Sequence, residues 1–128
     1  MDVTLARFWD HDRLPPLDRF DPSDDAQFHA AGRHLLQLCW ARHQVEAFAA
    51  FCLLARERLD ALARAALGAD ASSASRLALV DVVLGELFSV DAEHPPVLLH
   101  LPAYLEARVR VLAGPTDARR APRLAAVE

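Results

Sequence analysis

Residues 46–51, EAFAAF, and 55–68, ARERLDALARAALG, decide how this chain folds. Phe48, Phe51, Cys52, Ala55, Leu59, Leu62 and Ala66 recur at i, i+3, i+4, i+7, i+11, i+14 and i+18, the spacing of one face of an α-helix, and Gly68 ends the run. On the other face Arg56–Asp60 and Asp60–Arg64 are spaced as i,i+4 pairs, worth about 0.3 kcal/mol each, which marks a solvated surface.

Upstream, Asp21-Pro22-Ser23-Asp24-Asp25 reads as a helix start. An Asp or Ser side chain accepts from unpaired amides, Pro fits the first turn, and carboxylates suit the positive end of the helix dipole. A helix is therefore expected from Pro22 to Arg42, with Phe28, Ala31, Leu35, Leu38 and Cys39 on its apolar face and Leu36 and Trp40 widening it. No Gly or Pro separates it from the next helix, so the two also read as one bent helix.

Downstream, residues 71–75 form a small polar loop in which Ser73 or Ser75 would cap a helix over Arg76–Phe88. Arg76, Asp81 and Glu86 are its only charged residues, which places it at the centre of a bundle or against a partner. Ser89 to His100, with Pro95-Pro96, reads as an extended connection. A last helix starts near Pro102 and stops before Gly114-Pro115, with Leu101, Leu105, Val109 and Leu112 on one side; Arg108-Val109-Arg110-Val111 alternates as a strand would. The fold expected is all-α, a small bundle of four helices within a range of three to five. It occupies residues 22–114, after an irregular acidic arm at 1–21 anchored by Phe8, Trp9 and Phe20. Residues 115–128 have little to bury and read as a disordered tail.

A chain of 128 residues can bury one core of this kind. All 14 basic residues are Arg, with no Lys, Ile or Asn, a bias that a GC-rich bacterial genome explains without any selection for guanidinium chemistry. The net charge of -4 opposes general affinity for phosphate. Residues 1–25 hold seven acids against three Arg, and residues 102–128 five Arg against three acids. Cys39 and Cys52, with no further cysteines, fit neither a metal knuckle nor a disulfide framework and read as buried thiols. The N-terminus lacks a basic region followed by an apolar run, and no apolar stretch approaches the ~18 residues of a membrane span, so the expected location is cytoplasmic.

Nothing in the residue pattern calls for an enzyme. His29 and His34 are five residues apart, roughly 140° around a helix, and no HxxxH or ExxH pair presents two metal ligands on one face. Cys39 lies between His34 and His43, but on an apolar helical stripe, where a thiol is inert. Gly32, Gly68, Gly85 and Gly114 are isolated, so no loop cradles phosphate, and Asp24-Asp25 suits a helix cap better than acid–base work. No catalytic residue, metal or cofactor is expected.

The order of four segments carries one resemblance. Glu46–Phe51, the helix ending at Gly68, then Leu79-Val80 with Val83, Leu84, Leu87 and Phe88, then Pro102-Ala103-Tyr104-Leu105 followed by Arg108, resembles region 2 of the extracytoplasmic-function sigma factors over about residues 30–112. In that family the first two helices form a hairpin, the third contacts the clamp helices of RNA polymerase, and the fourth melts and reads promoter DNA. The resemblance implies a polymerase-facing set of Leu79, Val80, Asp81, Val83 and Glu86 and a DNA-facing set of Tyr104, Arg108 and Arg110. An aromatic ring beside Arg can stack on an unpaired base while the guanidinium holds phosphate. The chain departs from the pattern where function would lie: His43-Gln44 stands in place of the family's Gly-Asp turn, and the basic run after Tyr104 is reduced to Arg108 and Arg110. The expected role is a non-enzymatic protein-interaction domain, a degenerate sigma-like module acting on RNA polymerase or a transcription regulator. The alternative is a helical adaptor or self-assembly protein whose partner is another protein or a second copy. DNA binding by the chain alone is not expected.

Overall fold

The computed structural model describes residues 3–91, 93 and 98–114. Its regular structure is helical: α1 (Val3–Arg7), α2 (Asp25–Arg42), α3 (Val45–Leu67), α4 (Ser73–Phe88) and α5 (Leu101–Ala113), with one 3-10 turn at Leu17–Arg19. The all-α expectation holds, and residues 108–111 are helix rather than strand. Residues 92 and 94–97 of the expected connection from Ser89 to His100, and the tail at 115–128, lie outside the described residues.

The break between α2 and α3 needs no glycine. His43 ends α2 in the left-handed conformation, at φ 57° and ψ 32°, a geometry that costs a residue with a Cβ about 1–2 kcal/mol. The turn recovers part of that cost, because the Gln44 amide donates back to the Leu38 carbonyl at 3.3 Å and the Ala47 amide to the Gln44 carbonyl at 3.0 Å. Reversal there brings Phe48, Ala50 and Phe51 of α3 into one core with Leu35, Leu36, Cys39 and Trp40 of α2. The two are separate helices, not one bent rod. The cap of α2 is Asp24, whose carboxylate accepts from the Gln27 amide at 3.1 Å.

α3 is the central helix, packed against α1, α2, α4 and α5. Phe48, Phe51, Ala55 and Leu59 of its predicted stripe are buried, but so are Ala47, Ala50, Leu54 and Ala63, because partners cover it from more than one side. Four alanines among those eight positions let neighbouring helices approach closely. The centre of the bundle is therefore α3, not the less charged α4. One side of α3 is fixed by Arg58, which donates to Asp25 Oδ1 and to the Pro22 carbonyl, each at 2.9 Å, with its guanidinium 4.3 Å from the Phe28 ring centre. Gly32 of α2 fixes another contact: a Cβ there would lie 2.4 Å from Leu101 Cδ2 and 3.3 Å from the Phe51 ring, so the absent side chain lets α5 seat Leu101 against α2.

The arm is more ordered than its composition suggests. It opens with α1, buries Trp9 and Leu14, and packs Phe8 and Phe20 at the edge of the core. Trp9 donates its indole N–H to the Pro15 carbonyl at 2.8 Å and meets Phe20 edge-on at 4.8 Å, so the two consecutive prolines shape a loop closed around one aromatic residue.

Candidate interaction face

α4 starts at Ser72, whose hydroxyl accepts from the Ser75 amide at 3.1 Å; this cap precedes the expected Ser73 or Ser75. Three polar contacts then hold the helix to the bundle. Near its start, Arg76 donates to Asp60 Oδ1 of α3 and to the Ala71 carbonyl, each at 2.9 Å. Asp60 is thus engaged across helices by Arg76, not within α3 by Arg56 or Arg64. Near its end, Glu86 accepts from Arg108 of α5 through both oxygens, at 3.0 and 2.8 Å. In the last turn, where helical carbonyls lack internal partners, Leu87 accepts from the buried Trp40 indole N–H at 2.9 Å.

The inner side of α4 buries Leu79, Val80, Val83 and Leu87. Its outer side is also apolar. Ala74, Leu77, Ala78, Asp81, Val82, Gly85 and Phe88 are exposed and fall at i, i+3, i+4, i+7, i+8, i+11 and i+14, a second complete helical stripe. Leu77 is 60% exposed, Val82 49% and Phe88 47%, the last touching Phe48 edge-on at 5.0 Å. Beside Leu77 a groove of about 580 Å³ runs between α3 and α4, lined by Arg56, Asp60, Arg64, Leu77 and Val80.

Two members of the stripe have no internal explanation. A glycine inside a helix costs about 0.5–1 kcal/mol relative to Ala, yet a Cβ on Gly85 would meet no atom within 4 Å. Nothing within the described residues requires that glycine. Gly85→Ala is therefore expected to stabilise the isolated protein by about 0.5–1 kcal/mol, measured as a rise in the denaturant midpoint at unchanged slope; a loss of stability would mean that the position is packed after all. Asp81 is the sole charge on the stripe, and it has no ion-pair partner among the described residues.

These placements correct part of the predicted contact set. Leu79, Val80 and Val83 are buried in the core, Val83 only 1% exposed, so they support the helix from its inner side, Val80 also forming part of the groove wall. Glu86 is occupied by Arg108, and of the five residues Asp81 faces outward with no ion-pair partner among the described residues. The residues with that exposure, Leu77, Val82 and Phe88, were not singled out by sequence, because a helix apolar on both sides gives no period to tell inside from outside. Of the DNA-facing set, Tyr104 is half-buried against the core, Arg108 is held by Glu86, and Arg110 pairs with Glu106 one turn earlier. Neither guanidinium is free to meet phosphate without giving up a carboxylate.

The other reactive side chains serve the fold. Burial pushes both the Cys39 and the Cys52 thiol up from the ordinary range, which disfavours the nucleophilic thiolate. His34 bonds to the Phe8 carbonyl at 2.8 Å, tying the arm to α2, and His43 forms the α2–α3 turn. His29 and His100, far apart in sequence, stack with ring centres 5.9 Å apart and planes 12° from parallel at the start of α5. Spacing arguments confined to one helix could not have paired them. Among the described residues no group of three or more His, Cys, Asp or Glu is placed to hold a metal ion, and no helix is long and apolar enough to cross a membrane. No family model, curated protein or solved structure matches this chain.

Proposed function

We propose that this chain is a non-enzymatic protein-interaction module that presents the outer face of α4 to a helix of another protein. The observation that carries the reading is the second apolar stripe, Ala74 to Phe88, exposed on a helix whose inner side is held by Arg76, Glu86 and the Leu87 carbonyl. Large apolar side chains contiguous on a surface mark an interaction site. Small residues at Ala74, Ala78 and Gly85 leave a shallow valley between Leu77 and Phe88 on one side and Val82 on the other, the relief into which the ridge of a second helix packs.

The charge chooses between partners. Asp81 lies at the middle of the stripe, so a two-fold pairing of α4 with a second copy of itself would bring two carboxylates together, which is unfavourable. A partner helix that is apolar but carries one Arg or Lys opposite Asp81 fits instead. If the partner belongs to the transcription machinery, the contact is made by the helix that the sigma-factor resemblance assigns to RNA polymerase, and the net charge of -4 and the carboxylate held by Arg108 weigh against a DNA contact beside it.

The test begins with light scattering on the purified protein, followed by affinity capture from the native host with the wild type and Val82→Asp in parallel. The partner lost on substitution is then purified and its affinity measured. The reading expects a monomer, a loss of about 30-fold or more for Val82→Asp, as for a central interface residue, and recovery of Asp81→Arg by an acidic substitution in the partner. A wild-type dimer dissociated by Val82→Asp would make a second copy the occupant. Equal binding by wild type and variant would remove the face from consideration, and salt-sensitive retention on DNA would reinstate the nucleic-acid reading.

A further inference from the structure

The first turn of α5 has an unusual set of hydrogen-bond acceptors. The Leu101 amide donates to Nδ1 of His29, on α2, at 2.9 Å, and the Ala103 amide donates to Nδ1 of His100 at 3.2 Å. Pro102, between them, has no N–H, and the Tyr104 amide already bonds to the His100 carbonyl at 3.0 Å. The two imidazoles thus satisfy the unpaired donors at this helix start, where Ser, Thr, Asp or Asn ordinarily serve. Each can do so only with Nδ1 unprotonated, because a ring nitrogen that carries hydrogen cannot accept. The geometry therefore asks for an unprotonated Nδ1 facing each of the two amides.

We propose that His29 and His100 form a proton-released latch on α5: neutral, they cap its first turn and hold Leu101 in its seat against Gly32 and Phe51; protonated, they release it. Protonation would replace each N–H to Nδ1 bond by two opposed hydrogens and would place two positive charges, one above the other, at the positive end of the α5 dipole. The groups facing His29 reinforce this. Arg33 lies one turn further along α2 and His100 stacks on the ring, while Asp25, one turn earlier, is engaged by Arg58 at 2.9 Å. Partial burial first, then Arg33 and His100, lower the pKa of His29 from its ordinary 6.5. A lowered folded-state value means that the unfolded chain binds the proton more readily. The stabilisation from His29 is therefore complete above about pH 6.5 and is lost as pH falls from there toward the lowered folded value. Histidine is the side chain whose ordinary titration places such a switch near neutrality.

Imidazole nitrogen NMR at pH 7.5 should report the Nε2–H form for both residues; the Nδ1–H form at either would overturn the latch. Amide exchange then reads the release. Between pH 7.5 and pH 5 the protection factors of Leu101 and Ala103, referenced to a core amide such as Leu59, should fall about fivefold for each cap lost, and unchanged ratios would overturn the proposal. Asn places an acceptor where Nδ1 lies but does not titrate, so His29→Asn with His100→Asn should keep both amides protected at both pH values. A pH-dependent loss as large as the wild type's in that variant would also overturn it. Should the double variant not fold, His100→Asn alone, at an exposed position, must abolish the pH response at Ala103, and persistence of that response counts against the latch.

Discussion

Val83→Asp is expected to abolish folding, and Val82→Asp, one residue away, to leave it intact. Val83 is 1% exposed within the apolar contacts of α4. Its replacement forfeits about 1.5–3 kcal/mol of side-chain burial and leaves a carboxyl with no hydrogen-bond partner, which costs several kcal/mol more whether it stays charged or takes up a proton. The sum is comparable to the whole stability of a domain, about 5–15 kcal/mol. Val82 is 49% exposed, so Asp there meets water and changes stability by about 0.5 kcal/mol. Circular dichroism melts of the two variants side by side give the answer. Cooperative unfolding of Val83→Asp at the wild-type temperature would place that side chain outside the core, and collapse of Val82→Asp would mean that the outer stripe is not a free surface.

The pair also marks the limit of what local residue spacing encodes. The capped start of α2 to within a turn, the end of α3 at Gly68, the stop of α5 before Gly114 and the core stripe from Phe48 to Leu59 are legible, because caps, glycines and polar residues on the outer faces mark them. In α4 the residues at 79, 80, 83 and 87 and those at 74, 77, 78, 82 and 85 form apolar stripes of the same period, so the pattern could not choose between them. Only the path of the chain, which turns Arg76 toward Asp60 and Glu86 toward Arg108, decides which stripe is inside. The same limit hid Arg58, Trp40 and the His29–His100 pair. Each bonds to a group dozens of residues away, and no local spacing encodes such a contact. The α2–α3 turn was obscured for a different reason: His43 takes the backbone conformation in which glycine is expected, so the sequence carried no stop signal.

Trp40→Ala is the second substitution with a large expected effect, and its comparison with Trp40→Phe separates packing from polarity. Trp40 is 5% exposed at the end of α2, and its indole supplies a hydrogen-bond donor to the Leu87 carbonyl of α4. Alanine would open a cavity and strip that donor, costing about 3–5 kcal/mol, or a fall of about 12–20 °C in melting temperature at about 4 °C per kcal/mol. Phenylalanine retains most of the contact but leaves a buried carbonyl unanswered, for about 1–3 kcal/mol. The loss should not be uniform. Amide exchange at Phe88 and Ser89 should quicken more than exchange at Leu79 or Val80, since the opposite end of α4 keeps its own anchor, Arg76 on Asp60. An even loss across α4 would mean that the indole contributes volume alone. A localised one would show that α4 is held by separate polar fasteners at its two ends, which is how a helix can turn Leu77, Val82 and Phe88 to solvent and still keep the fixed shape that a partner helix requires.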